Sequence, residues 1–410
     1  MNSLFELALI GVSIRSAGLK KLEKAVNSLP QNSVIKICES VGKEFGASIL
    51  STCNRHEIYF LAEGEAFERV KNTLKQILLN SNISNDSIME LQGKHAIEHL
   101  LEVASGLDSV IIGEPEILDQ IRNTKIFGFG KAKHFMKLIF DEVYKEGLEI
   151  RKDLNIKGLG WGEFILQLFF KYDIKYDKNI LIVGYGSVGK NIAEILYKNG
   201  YPNIFIVNRT PEKVPKIFKS VYKLDDLNEL IKYADVIITA TNSSNYILDI
   251  KNLEFIPKDK EILIIDISLP RNVNPSIIEK YNNIYLLTIE EFDSFNHIDK
   301  SIISKAKEMC IIKSENIYRK IRRLEESEIF IKEIREWAEK VRSEEMQKAF
   351  KLMNGDIEHD KKVIEKLSEK IVTRLLHNLT MKTREFLLYQ QCFYLEVYIL
   401  KKKYLNTLKK

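Results

Sequence analysis

A chain of 410 residues, 29% charged and 45% hydrophobic, has the size of roughly two to four domains and an ordinary globular composition, which excludes wholesale disorder and a membrane bundle. Its net charge of +5, from 62 basic and 57 acidic residues, is too mild to argue for or against a nucleic-acid partner. No apolar stretch reaches spanning length and MNSLFELALIGVSIRS lacks a secretory signal, so a cytoplasmic protein with reduced thiols and no membrane partner is expected.

In chain order, FELALIGVSI reads as a strand, SILSTCNRHEIYFLA as a strand or hairpin element, and KHAIEHLLEVASG as a helix by its i, i+3, i+4 apolar spacing. Residues 1–155 are therefore expected to form an α+β domain. The run GLGWG breaks the pattern, and NILIVGYGSVGKNIAEILYKNG then places a short apolar strand, a glycine turn and a helix in succession. Further β-type runs at NIFIV, DVIITAT, EILIIDIS and IYLLT, separated by helix-length segments, predict an α/β doubly wound parallel sheet over residues 156–298. Of 19 glycines only Gly355 lies beyond Gly200, and the last of 8 prolines is Pro275. Residues 299–410 thus contain almost no helix breakers and predict an all-helical third domain with a long helix.

Gly184, Gly186 and Gly189 stand in G-x-G-x-x-G spacing between a strand and a helix. The first permits a tight turn, the second lets the backbone approach a pyrophosphate, and the third allows close packing of the helix. Tyr185, Ser187 and Val188 complete the loop, whose helix N-terminus turns amides toward an anion. Where an acid would bind the ribose of NAD, the second strand ends in Asn208, Arg209 and Thr210; an arginine there suits a 2′-phosphate, so NADPH is the expected cofactor.

Four cysteines, Cys38, Cys53, Cys310 and Cys392, are scattered without a C-x-x-C pair, so each is a lone thiol. Cys53 differs from the rest by its setting, Ser51-Thr52-Cys53-Asn54-Arg55-His56-Glu57. A nearby arginine lowers a thiol pKa and favours the nucleophilic thiolate. In an extended stretch Cys53 and Arg55 share one face and His56 the other, which makes His56 a poor base. His95-Ala96-Ile97-Glu98-His99 matches the inverted zinc-protease pattern H-x-x-E-H, but no third ligand is indicated, so no metal is expected.

STCNRHEIY, together with GLDSVIIGEPEILDQIR at 106–122, resembles the two signatures of the glutamyl-tRNA reductase family. The resemblance continues through NILIVGYGSVG, IVNRT and IIDISLPRNVNP to LLHNLTMKTRE at 375–385, in family order along nearly the whole chain. It implies that Cys53 attacks the ester of glutamyl-tRNA, that a thioester forms as tRNA leaves, and that NADPH then reduces it to glutamate 1-semialdehyde for tetrapyrrole synthesis. It further implies that Thr52, Asn54 and Arg55 hold the glutamyl group, with Arg55 apt to pair bidentately with a carboxylate. Ser109, Glu114, Pro115, Glu116 and Gln120 match the second substrate segment, and His99 the histidine that aids proton transfer. A V-shaped homodimer built on a spinal helix is implied, with glutamate-1-semialdehyde aminomutase as a candidate partner.

The chain departs from the family at Ile14 and Gly18, where histidine and proline are usual, at His56, at Glu116 and in the bulky GLGWGEFILQLFF. These departures touch substrate positioning and the hinge. Two other readings remain open: a NADP dehydrogenase of a small free metabolite, and a catalytically silent paralogue that binds tRNA or a partner enzyme.

Overall fold

The computed structural model describes residues 5–218, 220–241, 243, 245–257, 260–295 and 298–351, with short stretches between 357 and 377. Cys392, most of LLHNLTMKTRE and the lysine-rich end lie outside the described residues.

The first five strands are β1 (Phe5–Ser13), β2 (Phe45–Ser51), β3 (Arg55–Glu63), β4 (Met89–Gln92) and β5 (Ile126–Phe129), and they form one sheet in the order β4-β1-β3-β2-β5. The expected strand or hairpin element is a hairpin, with β2 and β3 antiparallel and Ser51 opposite His56. Thr52–Asn54 is its turn, closed by the Thr52 amide donating to the Arg55 carbonyl at 2.9 Å. Cys53 therefore sits in a turn and not in an extended strand. From Arg55 onward the side chains alternate, with Arg55, Glu57 and Tyr59 on one face and His56 on the other.

Helices cover this sheet. In chain order they are α1 (Ile14–Ala17), α2 (Leu19–Ser28), α3 (Gln31–Glu39), α4 (Gly64–Asn80), α5 (Lys94–Ala104), α6 (Glu116–Arg122) and α7 (Gly130–Asp153). Helix α5 buries Ala96, Ile97, Leu100, Leu101, Val103 and Ala104, the stripe that its apolar spacing predicts. Between α1 and α2, Gly18 has φ +74, a backbone that proline, locked near −65°, does not adopt. The departure from proline at this position thus has a local geometric basis.

Helix α8 (Trp161–Lys171) leads into the second sheet, of strands β6 (Ile180–Val183), β7 (Ile204–Val207), β8 (Ser220–Tyr222), β9 (Val236–Thr239), β10 (Ile262–Asp266) and β11 (Ile284–Thr288). All neighbours are parallel, in the order β11-β10-β9-β6-β7-β8. The chain reverses direction across the sheet at β6, so the crevice beyond the carboxyl ends of β6 and β9 is the place where this topology receives a ligand. Four of the six strands were legible as apolar runs besides β6 itself; β8, of only three residues, was not. The bulk of α8 has a partner: Trp161 and Phe164 meet Phe292 edge-on, with Phe164 and Phe292 centroids 4.8 Å apart.

A helix of 52 residues, Lys300–Lys351, follows. Glu6–Ile317 form one compact unit, and the helix from Tyr318 onward belongs to a second. Within the first unit Lys313 pairs with Glu146 and, at 3.2 Å, with Glu149, and Lys94 pairs with Glu315 at 3.4 Å. Among the described residues no helix is long and apolar enough to cross a membrane.

Candidate active site

The β2–β3 turn holds Cys53 half-buried. Thr52 Oγ1 accepts from the Asn54 amide at 3.1 Å, and the Asn54 carbonyl accepts from the Ile14 amide at 2.8 Å, so the turn is anchored on both flanks. Glu114 approaches from the loop that precedes α6, where Asn54 Nδ2 donates to its Oε1 at 3.4 Å. Arg151 fixes that loop from α7 by donating to the carbonyls of Ala104, Gly113 and Glu114 at 2.9, 3.0 and 2.7 Å. Three bonds from one half-buried guanidinium to three carbonyls hold Glu114 at the thiol.

Burial, reinforced by the Glu114 carboxylate, pushes the Cys53 thiol well above its ordinary range, while Arg55 only partly opposes this. The expected thiolate-favouring effect of Arg55 is therefore present in sign but outweighed. Its guanidinium is already engaged: one nitrogen donates to Glu57 at 3.1 Å and to Asp108 at 2.8 Å, and another to the Asp108 carbonyl. Glu114 itself is raised to about 7 by burial and by neighbouring Glu116, against the opposing pull of Ser109, Arg55 and Arg151. It is thus the carboxyl beside the thiol that changes protonation near neutrality.

Behind Arg55 lies a second cluster. Glu57 accepts from Tyr59 at 2.8 Å and shares a 2.8 Å bond with His99 Nε2. Burial opposes its charge, but His99 and Arg55 prevail and hold it down at about 2. Burial would lower the His99 imidazole, yet Glu57 reverses the sign and raises it. His99 thus faces Glu57, and the groups that act on Cys53 are Glu114, Arg55 and Glu116. His56 bonds Ser51 Oγ at 3.1 Å and the Leu29 carbonyl at 3.0 Å; burial lowers it to about 4, which leaves it neutral and unsuited as a base.

The zinc pattern does not assemble. His95 is exposed, with 67% of its side-chain surface accessible, and pairs with Glu98 at 3.6 Å, whereas His99 is buried against Glu57. Glu57, His99 and Asp108 do bring ligand atoms within 4.8 Å of one another. The Arg55 guanidinium already sits between the two carboxylates and supplies the positive charge a metal would bring.

Four predicted substrate residues carry buried polar atoms without a hydrogen-bond partner: Asn54 Oδ1, Arg55 Nε, Ser109 Oγ and Glu116 Oε2. Buried polar atoms are nearly always satisfied, so such a cluster marks a place for a ligand. Ser109 is fully buried, whereas Pro115, just before α6, and Gln120, within it, are exposed. Arg151, Glu57 and Asp108 were not singled out from sequence. An alternation of polar residues at the start of an otherwise apolar strand, Arg55-x-Glu57-x-Tyr59, was the available signal for the second cluster.

The phosphate loop fits a dinucleotide. A Cβ on Gly184, which has φ +103, would meet the Ala240 carbonyl oxygen at 2.4 Å, and one on Gly189 would meet the Gly184 oxygen at 2.1 Å. A Cβ on Gly186 would meet nothing within 4 Å. The outer glycines are therefore required by packing, and the middle one borders open space at the start of the helix α9 (Ser187–Lys198). Tyr185 donates its amide to Asn208 Oδ1 at 3.4 Å, and Asn208 Nδ2 donates to the Thr210 carbonyl at 3.0 Å. Arg209 is exposed beside them. Across the crevice Asp266 accepts from Thr239 and from the amides of Ser268, Asn272 and Val273, at 2.7 to 3.0 Å, and shapes the loop after β10.

Comparison with known proteins gives three family models in chain order. The glutamyl-tRNAGlu reductase N-terminal domain matches residues 10–154, shikimate/quinate 5-dehydrogenase matches 170–295, and the glutamyl-tRNAGlu reductase dimerisation domain matches 305–392. A glutamyl-tRNA reductase of Methanocaldococcus jannaschii is 30% identical over 347 residues, covering 81% of this chain and 84% of its own. One from Sulfurihydrogenibium is 28% identical over 397 residues, covering 92% and 89%. Among solved structures, the glutamyl-tRNA reductase from Methanopyrus kandleri covers 92% of this chain and 93% of its own at 23% identity, with a TM-score of 0.45.

Proposed function

This chain belongs to the glutamyl-tRNA reductase family, the oxidoreductases that open tetrapyrrole synthesis, and we propose that it reduces glutamyl-tRNA to glutamate 1-semialdehyde through a thioester on Cys53 with NADPH. The observation that carries this reading is the set of unpartnered buried atoms around the thiol. A glutamyl group brings a carboxylate that needs donors and an ammonium that needs acceptors. Arg55 Nε is an open donor, and Asn54 Oδ1 and Glu116 Oε2 are open acceptors. In this reading Ser109 Oγ, also unpartnered, and Thr52 contact the glutamyl group, and Pro115 and Gln120 stand at its exposed side.

Attack of the Cys53 sulfur on the ester carbonyl carbon forms a C–S bond and breaks the bond to the ribose oxygen. The thiol proton must leave and the ribose oxygen must gain one. Glu114, poised near neutrality beside the thiol, takes the first and returns the second. His99 acts one step removed, by holding Glu57 and so the Arg55 guanidinium in place.

A nicotinamide cofactor, when bound, would supply the hydride to the thioester carbon; the C–S bond then breaks, which leaves the aldehyde and returns Cys53 as the free thiol. The cofactor's pyrophosphate would rest on the amides of Gly186, Ser187, Val188 and Gly189, and a 2′-phosphate on Arg209 with Asn208 and Thr210. Dimerisation through the segment matched at 305–392, a cytoplasmic location and transfer of the semialdehyde to glutamate-1-semialdehyde aminomutase belong to the same reading. The test is purified protein with charged tRNA and NADPH. Semialdehyde release that survives in Cys53→Ser, or that proceeds equally from free glutamate, would overturn it.

A further inference from the structure

Away from the thiol, a cavity of about 620 Å³ opens between α6, β5 and α7. Its apolar wall is Ile121, Phe140 and Tyr144, and its rim carries Arg122, Lys133 and Lys137. Lys133 and Lys137 stand one turn apart on α7, so both ammonium groups reach the same opening. Arg122 lies over the Tyr144 ring, 5.6 Å from its centroid. Among the described residues none of these three cations has an ion pair, although Asp141 shares the lining. Unpaired cations around an aromatic wall match single-stranded nucleic acid, in which phosphates need charge and unpaired bases need a ring to stack on.

The cavity is tied to the active site by α6, which starts at Glu116 and ends at Arg122. Seven residues at 1.5 Å rise span about 10 Å. The amino acid of an aminoacyl-tRNA is carried at the 3′ end of a single strand, so the nucleotides behind it lie within such a reach of Cys53. Resting on the reading of the substrate given above, we propose that this cavity seats a nucleotide of the single-stranded 3′ end of the tRNA. Lys133, Lys137 and Arg122 hold phosphate there, and Tyr144 receives a base.

The test is the double variant Lys133→Gln/Lys137→Gln with uncharged tRNA, read by fluorescence anisotropy against salt. Both side chains are exposed, and alkylation of Cys53 by iodoacetamide at the wild-type rate verifies an intact site. Two lost phosphate contacts on a single strand reduce the log–log salt slope by about 1.4 and weaken binding about tenfold near physiological salt. Lys133→Arg/Lys137→Arg should bind as wild type. Trimming the single-stranded 3′ end from the tRNA should abolish the difference between wild type and the glutamine variant. An unchanged slope, or a difference that persists with trimmed tRNA, overturns the proposal. So does competition by inorganic phosphate or AMP for this cavity without any effect of the variant on tRNA. If the wild type turns over charged tRNA while the variants behave alike, only the cavity assignment fails; if the wild type does not react with charged tRNA, the substrate reading fails with it.

Discussion

Two clusters of buried polar side chains meet at Arg55, and they differ in how completely they are satisfied. Glu57, with Arg55, His99 and Tyr59 as partners, is held at about 2, whereas Glu114 is raised to about 7. The residue type and burial are alike, and each feels two cations; Glu57 is hydrogen-bonded to both of its own, Arg55 and His99, whereas Arg151 bonds only the main-chain carbonyl of Glu114 and Glu116 adds a like charge beside it. A carboxylate with several strong partners is a structural anion, fixed in charge over the working pH range. One with an amide at 3.4 Å and another acid for a neighbour keeps its proton available. The thiol lies beside the second, and in the proposed reaction this division separates what holds the site from what reacts.

The largest expected effect tests the reactive side. Cys53→Ser should lower turnover by at least about 10³-fold while leaving the thermal midpoint near wild type, as measured by steady-state assay and calorimetry. Comparable losses of turnover and stability would mean that Cys53 is packing and not chemistry. Glu57→Gln should do the reverse and strike folding first. Removing one partner of a buried ion pair costs about 3–5 kcal/mol, and urea titration should show it. A midpoint unchanged by this substitution would erase the distinction between the two clusters.

Glu114→Gln sharpens the comparison through pH. Removing a positioned acid–base group costs about 10²-fold or more, and the rise of thioester formation with pH through about 7 should disappear in the variant. Stability carries the opposite signature. Because burial raises Glu114, its protonated form favours the folded state, and that contribution is lost as pH rises from the ordinary carboxylate range through about 7. Because His99 and Arg55 lower Glu57, its contribution is present above the ordinary range and lost only as pH falls toward about 2. Glu114→Gln should therefore gain stability over wild type between pH 5 and pH 8, as read from midpoints at the two values. A parallel shift at both would show that Glu114 is not the titrating group.

Much of this arrangement was legible from residues alone, for a physical reason. The hairpin, α5 and five strands of the parallel sheet announce themselves because their periodicity or apolar runs report burial directly. The phosphate loop is legible because backbone contact leaves only glycine as a solution at Gly184 and Gly189. The countercharge pattern is not, since it depends on which strand faces which loop. Nothing local to Asp108 says that it closes on Arg55, and nothing local to Arg151 says that it holds three carbonyls from α7. The expected influence of Arg55 on Cys53 was correct in sign, but its engagement by Glu57 and Asp108 comes from residues two and 53 positions away.

The proposed cofactor loop is the control for both clusters, since in that reading it would bind charge with backbone amides and, among the described residues, it buries no ion pair. Gly186→Ala adds a methyl group to open space, so the free protein should melt within about 0.5 kcal/mol of wild type, while the KM for the cofactor rises because the methyl group occupies the approach of the pyrophosphate. Arg209→Ser should have the smallest effect. The side chain is exposed and contacts only the 2′-phosphate in this reading, so its loss should lower the preference for NADPH over NADH about tenfold, equivalent to about 1.4 kcal/mol, without changing the turnover of the saturated enzyme. The ratio of kcat/KM for the two cofactors measures this. If the ratio holds, discrimination resides in Asn208 and Thr210 or in the loop itself, and the loop rather than the arginine sets the cofactor.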